Sequence, residues 1–279
     1  AFLGKPMPLN LILFIALIQG VTEFLPVSSS GHLVLVPVLT DQPYQGQSID
    51  VAAHVGTLIA VFVYLRRDVI SIITAMLGFG DSTQMASNRR LGLMIAAATL
   101  PVVIVGFMVN YAAWHWLTLV TTLAWANLIF AGLLWAADRF GRDVFKLTDM
   151  RWSAALAIGL MQVCALIPGA SRSGVTMTAA RFFGYDRLAA ARFSLLLSLP
   201  AIAGAGLLKT IDLIELGDMQ LGLDAALVAL LSALFAWLAI RLMMSWLARA
   251  SFAIFVVYRL ALGSVLLLAL QQGWIAAAI

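Results

Sequence analysis

The segment PGASRSGVT at 168–176 places an arginine among three hydroxyl side chains in a stretch that is otherwise rich in Leu, Ala, Ile and Val. Pro168 and Gly169 are expected to end an incoming helix, because proline interrupts the hydrogen-bond ladder and glycine permits a turn. Ser171 or Ser173 then caps the outgoing helix. The free N–H groups and partial positive charge of a helix N-terminus attract anions, so this position predicts an anion site.

Arg172 lies at the start of that outgoing helix, and its guanidinium presents a fork of donors that matches phosphate oxygens. Thr176 follows Ser173 by three positions and therefore lies on nearly the same helix face. We interpret Ser171, Arg172, Ser173 and Thr176 as a phosphate cradle. The alternative is a capped helix whose arginine points into an aqueous vestibule.

A second polar segment, LPVSSSGH at 25–32, carries groups that a phosphate cradle lacks. Ser29 and His32 are three positions apart, so on a helix they share a face and the imidazole can accept the hydroxyl proton. This pair predicts nucleophilic chemistry by a serine. The alternative is a histidine ring that is only packed or bonded to the backbone.

Glu23 is one of only two glutamates in the chain, and Gln19 lies four positions before it, on the same side of a helix. A carboxylate in an apolar arm needs a partner. A divalent cation that bridges Glu23 to phosphate oxygens is one such partner, and an ion pair with Arg172 is another. The two arrangements are compatible.

Two further polar residues lie in apolar segments. His54 follows Asp50 by one turn at the start of a later segment, where it either reaches the site from the outer side or packs within the protein. Arg259 lies within the last apolar segment, and we interpret it as an internal ion-pair or helix-packing residue.

The elements that position these residues are membrane helices. The chain has 279 residues, of which 63% are hydrophobic and 11% charged, well outside the range of soluble proteins. We therefore predict one all-α, polytopic membrane domain over residues 1–279. The net charge is +4, but the arginines cluster in loops, where they indicate topology, so we expect no nucleic-acid partner. The first apolar run lacks a small-residue cleavage site, so we expect it to belong to the mature fold.

About six helices are predicted to span the bilayer, each close to the ~20 residues that a span needs. They lie at 50–65, 91–110, 117–137, 193–213, 223–247 and 251–272. Two pairs of shorter runs, within 9–39 and 152–185, are broken by Pro and Gly. Such breaks persist at membrane depth only where the backbone is buried in protein or faces water, so we expect two re-entrant helix pairs.

The two broken pairs align without a gap at an offset of 143 residues, where 19–31 and 162–174 share four of thirteen positions. The positive-inside rule places the arginine-rich connections in the cytoplasm, so the first pair enters from the outer face and the second from the cytoplasmic face. Each half, about 9–137 and about 152–272, then holds a re-entrant pair followed by three spans of opposite orientation. This inverted-topology repeat predicts a site near the midplane where the two tips meet.

Together, the two polar segments resemble the motifs of the bacterial undecaprenyl pyrophosphate phosphatase family, also called the bacitracin-resistance family. That family carries (E/Q)xxxE running into FLPVSSxGH, here QGVTE running into FLPVSSSGH at 19–32. Its second motif, PGxSRSxxT, corresponds to 168–176, and the resemblance extends over most of the chain, including DVAAHVGTLIAV at 50–61.

The resemblance implies a membrane phosphatase that hydrolyses undecaprenyl pyrophosphate to the monophosphate and inorganic phosphate. This activity recycles the lipid carrier for peptidoglycan synthesis and confers resistance to bacitracin. The family also implies a bacterial inner-membrane location, a divalent cation such as Mg²⁺ or Ca²⁺, and a site open to the periplasm. Its fold is six spans plus re-entrant pairs in an inverted repeat.

By position, Glu23 matches the family's metal- or pyrophosphate-associated glutamate and Ser29 its proposed nucleophile. His32 matches the proposed base or rival nucleophile, and Arg172 the pyrophosphate-binding arginine. Gln19 departs from the glutamate of many members; a neutral amide cannot supply a second anionic metal ligand, so it orients a water or the phosphate. The hydroxyl residues around the arginine also match: Ser171, Ser173 and Thr176.

A lipid flippase or transporter is the alternative function, because inverted repeats with broken helices also occur in transporters. The discriminating feature is the Ser29 and His32 pair opposite Arg172, since a carrier for an anionic lipid needs the arginine but no nucleophile or base. The residues leave open whether Ser or His forms an intermediate, and whether the protein is a homodimer. They also leave open the length of the lipid chain.

Overall fold

The computed structural model describes residues 6–33, 35–36, 46–79, 82–112, 119–216 and 219–275. They contain eleven α-helices joined by short connections. The helices are α1 Leu9–Thr22, α2 Ser29–Leu33, α3 Gln47–Tyr64, α4 Arg66–Met76, α5 Ser82–Ala112, α6 Val120–Phe140, α7 Trp152–Gln162, α8 Arg172–Phe182, α9 Arg187–Leu216, α10 Met219–Leu247 and α11 Ala253–Gln271.

Within the described ranges, six helices are long and apolar enough to cross a bilayer: α3, α5, α6, α9, α10 and α11. This confirms the predicted all-α polytopic fold and its six spans. The helices α5 and α9 begin earlier than the apolar runs at 91–110 and 193–213 that predicted them. Polar residues such as Asn88, Arg89 and Arg90 continue the helix beyond the apolar run, because helix propensity does not require an apolar side chain.

Close backbone contacts at glycines join the helices. A Cβ at Gly56 in α3 would overlap the backbone of Ala229 in α10, and one at Gly159 in α7 would overlap the backbone of Ala98 in α5. In a bilayer the lipid tails are as apolar as the side chains, so close packing at small residues drives the association of helices.

The contacts between helices follow the same pattern in the two halves of the chain, α1–α6 and α7–α11. Helix α1 packs on α10, and α7 packs on α5; likewise α3 packs on α10, and α9 packs on α5. Each half thus packs its broken arm against the middle span of the other half. The inverted orientation in a bilayer, the re-entrant depth and the boundaries of the two repeats stay predictions.

The start of the first broken arm and the end of the second lie at opposite ends of the bundle. Just before α1, the N–H of Met7 donates to Asp224 at the start of α10 (2.9 Å). At the end of α8, Arg181 pairs with Asp138 in the last turn of α6 (3.5 Å), and Asp138 also accepts from the N–H of Phe252, which follows α10 (3.0 Å). Because α10 is 29 residues long, these two groups of contacts are separated by roughly 40 Å along its axis.

Candidate active site

The two tips have the same local conformation. Ser28 and Ser171, which align in the repeat, have left-handed φ angles of 74° and 69°. This region is unfavourable for residues with a Cβ and persists where the surrounding structure enforces it, often at functional sites. In each tip the hydroxyl of this serine lies 3.1 Å from a second serine hydroxyl, that of Ser30 in one tip and that of Ser173 in the other.

The tips also contact each other directly. The N–H of Gly169 donates to the hydroxyl of Ser30 (3.3 Å), and the hydroxyl of Ser173 donates to the carbonyl oxygen of Leu25 (3.0 Å). Gly169 has a φ of +91°, and a Cβ there would overlap the carbonyl group of Leu123. The chain therefore brings two segments that are more than a hundred residues apart in sequence into hydrogen-bonding contact.

Glu23 is the centre of the polar network between the tips, and its side chain is only 6% exposed. One carboxylate oxygen, Oε1, accepts a hydrogen bond from Arg172 Nη2 at 2.8 Å. The other, Oε2, accepts from Gln19 Nε2 at 2.8 Å and from the Ser29 hydroxyl at 2.9 Å. His54 Nε2 lies 3.5 Å from the same Oε2.

This network confirms the expected ion pair between Glu23 and Arg172, and it shows that His54 reaches the site rather than only packing. It also shows that the acceptor of the Ser29 hydroxyl is Glu23. The expected hydrogen bond between Ser29 and His32 was therefore wrong for this structure, because the carboxylate accepts from the hydroxyl and both imidazole nitrogens contact other groups.

His32 has a defined tautomer. Its Nδ1 lies 2.7 Å from the carbonyl oxygen of Ser28, which can only accept, so Nδ1 carries the proton. Nε2 then accepts from the Tyr258 hydroxyl at 2.5 Å, and the two rings stack with centroids 5.5 Å apart. Sequence reasoning did not identify Tyr258, because no local motif connects α11 to this tip.

Ser171 caps α8 by accepting a hydrogen bond from the N–H of Gly174 (3.2 Å), which confirms the predicted helix start. The first-turn N–H groups and Arg172 lie at this end, so they can bind an anion together. Thr176 instead lies 2.7 Å from the Ser194 hydroxyl on α9. The hydroxyls of Thr176 and Ser173 thus have protein partners, and their roles as phosphate ligands stay predictions.

Arg259 joins both tips from within α11 and is fully buried (0% exposed). Its Nε donates to Asn127 Oδ1 (2.8 Å), and Nη2 donates to the carbonyl oxygens of Gly169 (2.9 Å) and Ala170 (3.0 Å). Nη1 lies 3.5 Å from the carbonyl oxygen of Pro26 in the other tip. Of the two roles expected for Arg259, the ion pair was wrong, because the partners of Arg259 are carbonyl and amide oxygens, and helix packing agrees with these contacts. Broken helix ends leave such carbonyl oxygens without intrahelical donors and could have indicated this role.

The residues at Glu23 supply only part of a cation site. Gln19 Oε1 is buried and has no hydrogen-bond partner in the described part of the chain. No cluster of three or more His, Cys, Asp or Glu side chains suited to a metal occurs among the described residues. A carboxylate and an amide oxygen are suitable ligands for Mg²⁺ or Ca²⁺, and these ions also take oxygens from water and phosphate. The donors therefore fit a cation that is shared with a phosphate ligand.

Comparisons with known proteins identify the family of the chain. The family model described as "Bacitracin resistance protein BacA" matches residues 12–265. The undecaprenyl-diphosphatase of Erythrobacter litoralis is 44% identical over 278 residues, covering 92% of this chain and 97% of the relative. That of Alcanivorax borkumensis is 47% identical over 258 residues, covering 91% and 96%. The chain belongs to the bacitracin resistance protein BacA family.

Proposed function

We propose that this protein is an undecaprenyl-diphosphatase, which hydrolyses undecaprenyl pyrophosphate to undecaprenyl phosphate and inorganic phosphate. The names of its relatives support this substrate. The observation that supports the proposal is the contact of Glu23 with both Ser29 (2.9 Å) and Arg172 (2.8 Å), which brings a hydroxyl, a carboxylate and a guanidinium together. The activity would recycle the lipid carrier for peptidoglycan synthesis and confer bacitracin resistance.

Substrate binding would change the pairing of Arg172. Without an anion, the guanidinium and the Glu23 carboxylate neutralise each other. A diphosphate carries more negative charge than one carboxylate and accepts bidentate hydrogen bonds from arginine. The first-turn N–H groups of α8 add to this attraction. Arg172 therefore moves to the diphosphate, and Glu23 is released to accept a proton.

Ser29 is the proposed nucleophile, with Glu23 as its base. The Ser29 oxygen attacks the terminal phosphorus while its proton passes to Glu23 Oε2, and the bond from that phosphorus to the bridging oxygen breaks. Undecaprenyl phosphate leaves, and water then hydrolyses the phosphoserine to release inorganic phosphate and restore Ser29. Arg172 stabilises the charge on the phosphoryl oxygens throughout, which is the main source of catalysis in phosphoryl transfer.

His32 is the second proposed catalytic residue of this tip. Its ring is held in one orientation by the Ser28 carbonyl oxygen and the Tyr258 hydroxyl. A histidine with a fixed tautomer is suited to exchange a proton with the leaving oxygen or with the attacking water. This role differs from the activation of Ser29 that the spacing predicted.

A divalent cation, Mg²⁺ or Ca²⁺, is part of the proposal, with Glu23 and the Oε1 of Gln19 as its protein ligands. When bound, it would neutralise charge on the phosphate oxygens. The unpartnered buried Oε1 supports this assignment. Because Gln19 is neutral, Glu23 is the only anionic ligand of the pair, and the cation depends on the substrate for further negative charge.

The proposed location is the bacterial inner membrane, with the site open to the periplasm. The six candidate spans support a multi-pass membrane protein. The positive-inside rule places the arginine-rich connections in the cytoplasm. The arm that carries Ser29 and His32 then enters the membrane from the periplasmic side.

The test is release of inorganic phosphate from undecaprenyl or farnesyl pyrophosphate by the detergent-purified protein, with added Mg²⁺ or Ca²⁺ and with EDTA. Ser29→Ala and Arg172→Ala should each lower kcat by at least about 10²-fold, the usual effect of losing a nucleophile or charge-stabilising donor. Arg249→Ala, an exposed arginine near the end of α10, is the matched control and should keep normal activity.

Near-normal turnover by folded Arg172→Ala would contradict the cradle. If the intact, folded protein released no phosphate with either cation, a lipid-phosphate carrier would become the better explanation. Lipid movement in proteoliposomes would then be measured with the same variants.

A further inference from the structure

A cleft of about 710 Å³ opens at the arginine-rich end of the bundle, outside the Glu23 network. It lies between the junction of α3 and α4, the start of α9 and the end of α10. We call it the basic cleft, because four arginines and a single aspartate line it: Arg66, Arg67, Asp68, Arg192 and Arg241.

Most of this positive charge is not neutralised by the protein. Asp68 accepts a hydrogen bond from Arg192 at 2.6 Å, so these two charges cancel. None of the ion pairs formed within the described residues includes Arg66, Arg67 or Arg241. By contrast, Arg172, Arg181 and Arg187 all have carboxylate partners in the same structure. The three guanidiniums give the cleft an excess of positive charge, which attracts an anion.

The cleft also has an apolar side. Arg241 lies six positions before Leu247, the last residue of α10, which places it about 9 Å inside the helix end. Its guanidinium lies 5.5 Å from the ring of Trp237, a residue type typical of membrane interfaces. Leu188 and Met244 line the same cleft. Cationic and apolar groups therefore lie next to one another, as a lipid head group with its chains requires.

We infer that the basic cleft binds the phosphate head group of an anionic phospholipid from the leaflet at the arginine-rich end. Basic pockets between membrane helices are suited to such head groups, and each arginine near the surface contributes to the attraction. A soluble phosphate would not need the apolar wall or an arginine placed within the span. None of the lining residues belongs to the Glu23 network, so this site is independent of the proposed catalytic function.

The experiment uses the purified full-length protein in phosphatidylcholine nanodiscs that contain increasing fractions of phosphatidylglycerol. Native mass spectrometry counts the retained phosphatidylglycerol, and the melting temperature reports binding. Arg66→Gln and Arg241→Gln should each weaken apparent affinity about fivefold, and the double variant about 25-fold. Arg89→Gln removes an equal charge from α5, outside the cleft, and should change the affinity less than twofold.

Two further measurements separate the effect of charge from an effect on folding, and lipid binding from the binding of free phosphate. Arg241→Lys keeps the charge and should retain affinity within about threefold. Inorganic phosphate and glycerol phosphate, added at matched concentration to phosphatidylcholine nanodiscs, should shift the melting temperature equally in the parent and in the Arg66→Gln/Arg241→Gln double variant, because a free phosphate binds at Arg172 and not in the cleft.

Three results would overturn the inference. The double variant could retain as much phosphatidylglycerol as the parent. Arg89→Gln could weaken binding as much as the cleft variants do, which would leave these arginines as topology signals only. Inorganic phosphate could stabilise the parent more than the double variant, which would make the cleft a site for a soluble anion.

Discussion

Arg259 offers the sharpest test of how the two tips are held together. Replacing it with Met keeps much of the volume but removes every hydrogen bond that the guanidinium donates. Three oxygens at 2.8–3.0 Å then lose their donor: those of Asn127, Gly169 and Ala170. Two of these belong to the tip that carries Arg172.

The expected loss of stability is smaller than the sum of the lost bonds. A buried acceptor left without a donor costs about 1–3 kcal/mol, so three would cost roughly 3–9 kcal/mol. Removing the guanidinium also removes its desolvation penalty, which is several kcal/mol for a buried ion. We therefore expect a net loss in unfolding free energy of about 2–4 kcal/mol.

A loss of activity is also expected, because Arg259 binds the backbone on which the catalytic side chains depend. A misplacement of about 1 Å can lower a rate by about 10²-fold. Arg259→Met should therefore lower kcat about 10²-fold, while KM changes less than about threefold because Arg172 still binds the diphosphate. Arg259→Lys, with one ammonium in place of a fork, should recover part of this loss.

The assay combines thermal melting in detergent with steady-state phosphate release. Arg249→Met is the control for removing an arginine, since Arg249 is exposed. Asn127→Leu removes one hydrogen-bond partner of Arg259 and leaves the bonds from Arg259 to the two tips. A folded Arg259→Met protein with kcat close to that of the parent would refute the positioning role, even if its melting temperature fell.

Other consequences follow from single contacts. Tyr258→Phe removes the hydroxyl that binds His32 but keeps the ring. We expect kcat to fall two- to tenfold, roughly the effect of one hydrogen bond, with an unchanged melting temperature. An unchanged kcat would exclude a catalytic effect of this bond. Gly169→Ala should destabilise the protein by at least about 1–3 kcal/mol, because its φ of +91° strains a residue with a Cβ and because that Cβ would overlap the carbonyl group of Leu123. Gly132→Ala, in an open part of α6, should be neutral or stabilising. Gln19→Glu adds an anionic ligand and should lower the Mg²⁺ concentration needed for half-maximal phosphate release; an unchanged Mg²⁺ response would contradict its place at the cation.

Local properties of the sequence determined the elements and identified the segments that carry chemistry. The apolar runs predicted six spans, because span length follows from bilayer thickness. Ser171 could be expected to cap α8, since Pro168 and Gly169 end the preceding segment and a cap involves residues a few positions apart. The four-residue spacing of Gln19 and Glu23 likewise predicted their contact.

Only the tertiary structure decided which groups pair across the tips. Glu23 and Arg172 are 149 positions apart, so their 2.8 Å contact depends on how the two broken arms pack. The same packing brings His54 to Glu23 and places Arg259 against backbone carbonyl oxygens of both tips. These residues belong to different helices, and no spacing along the chain relates them.

Even a short spacing did not determine the partner of Ser29. Its position three residues before His32 predicted a hydrogen bond between them, but the Glu23 carboxylate from the preceding arm is the acceptor. The imidazole lies against the Ser28 carbonyl oxygen and the Tyr258 hydroxyl instead. A buried carboxylate attracts every nearby donor, and only the folded chain brings those donors within reach.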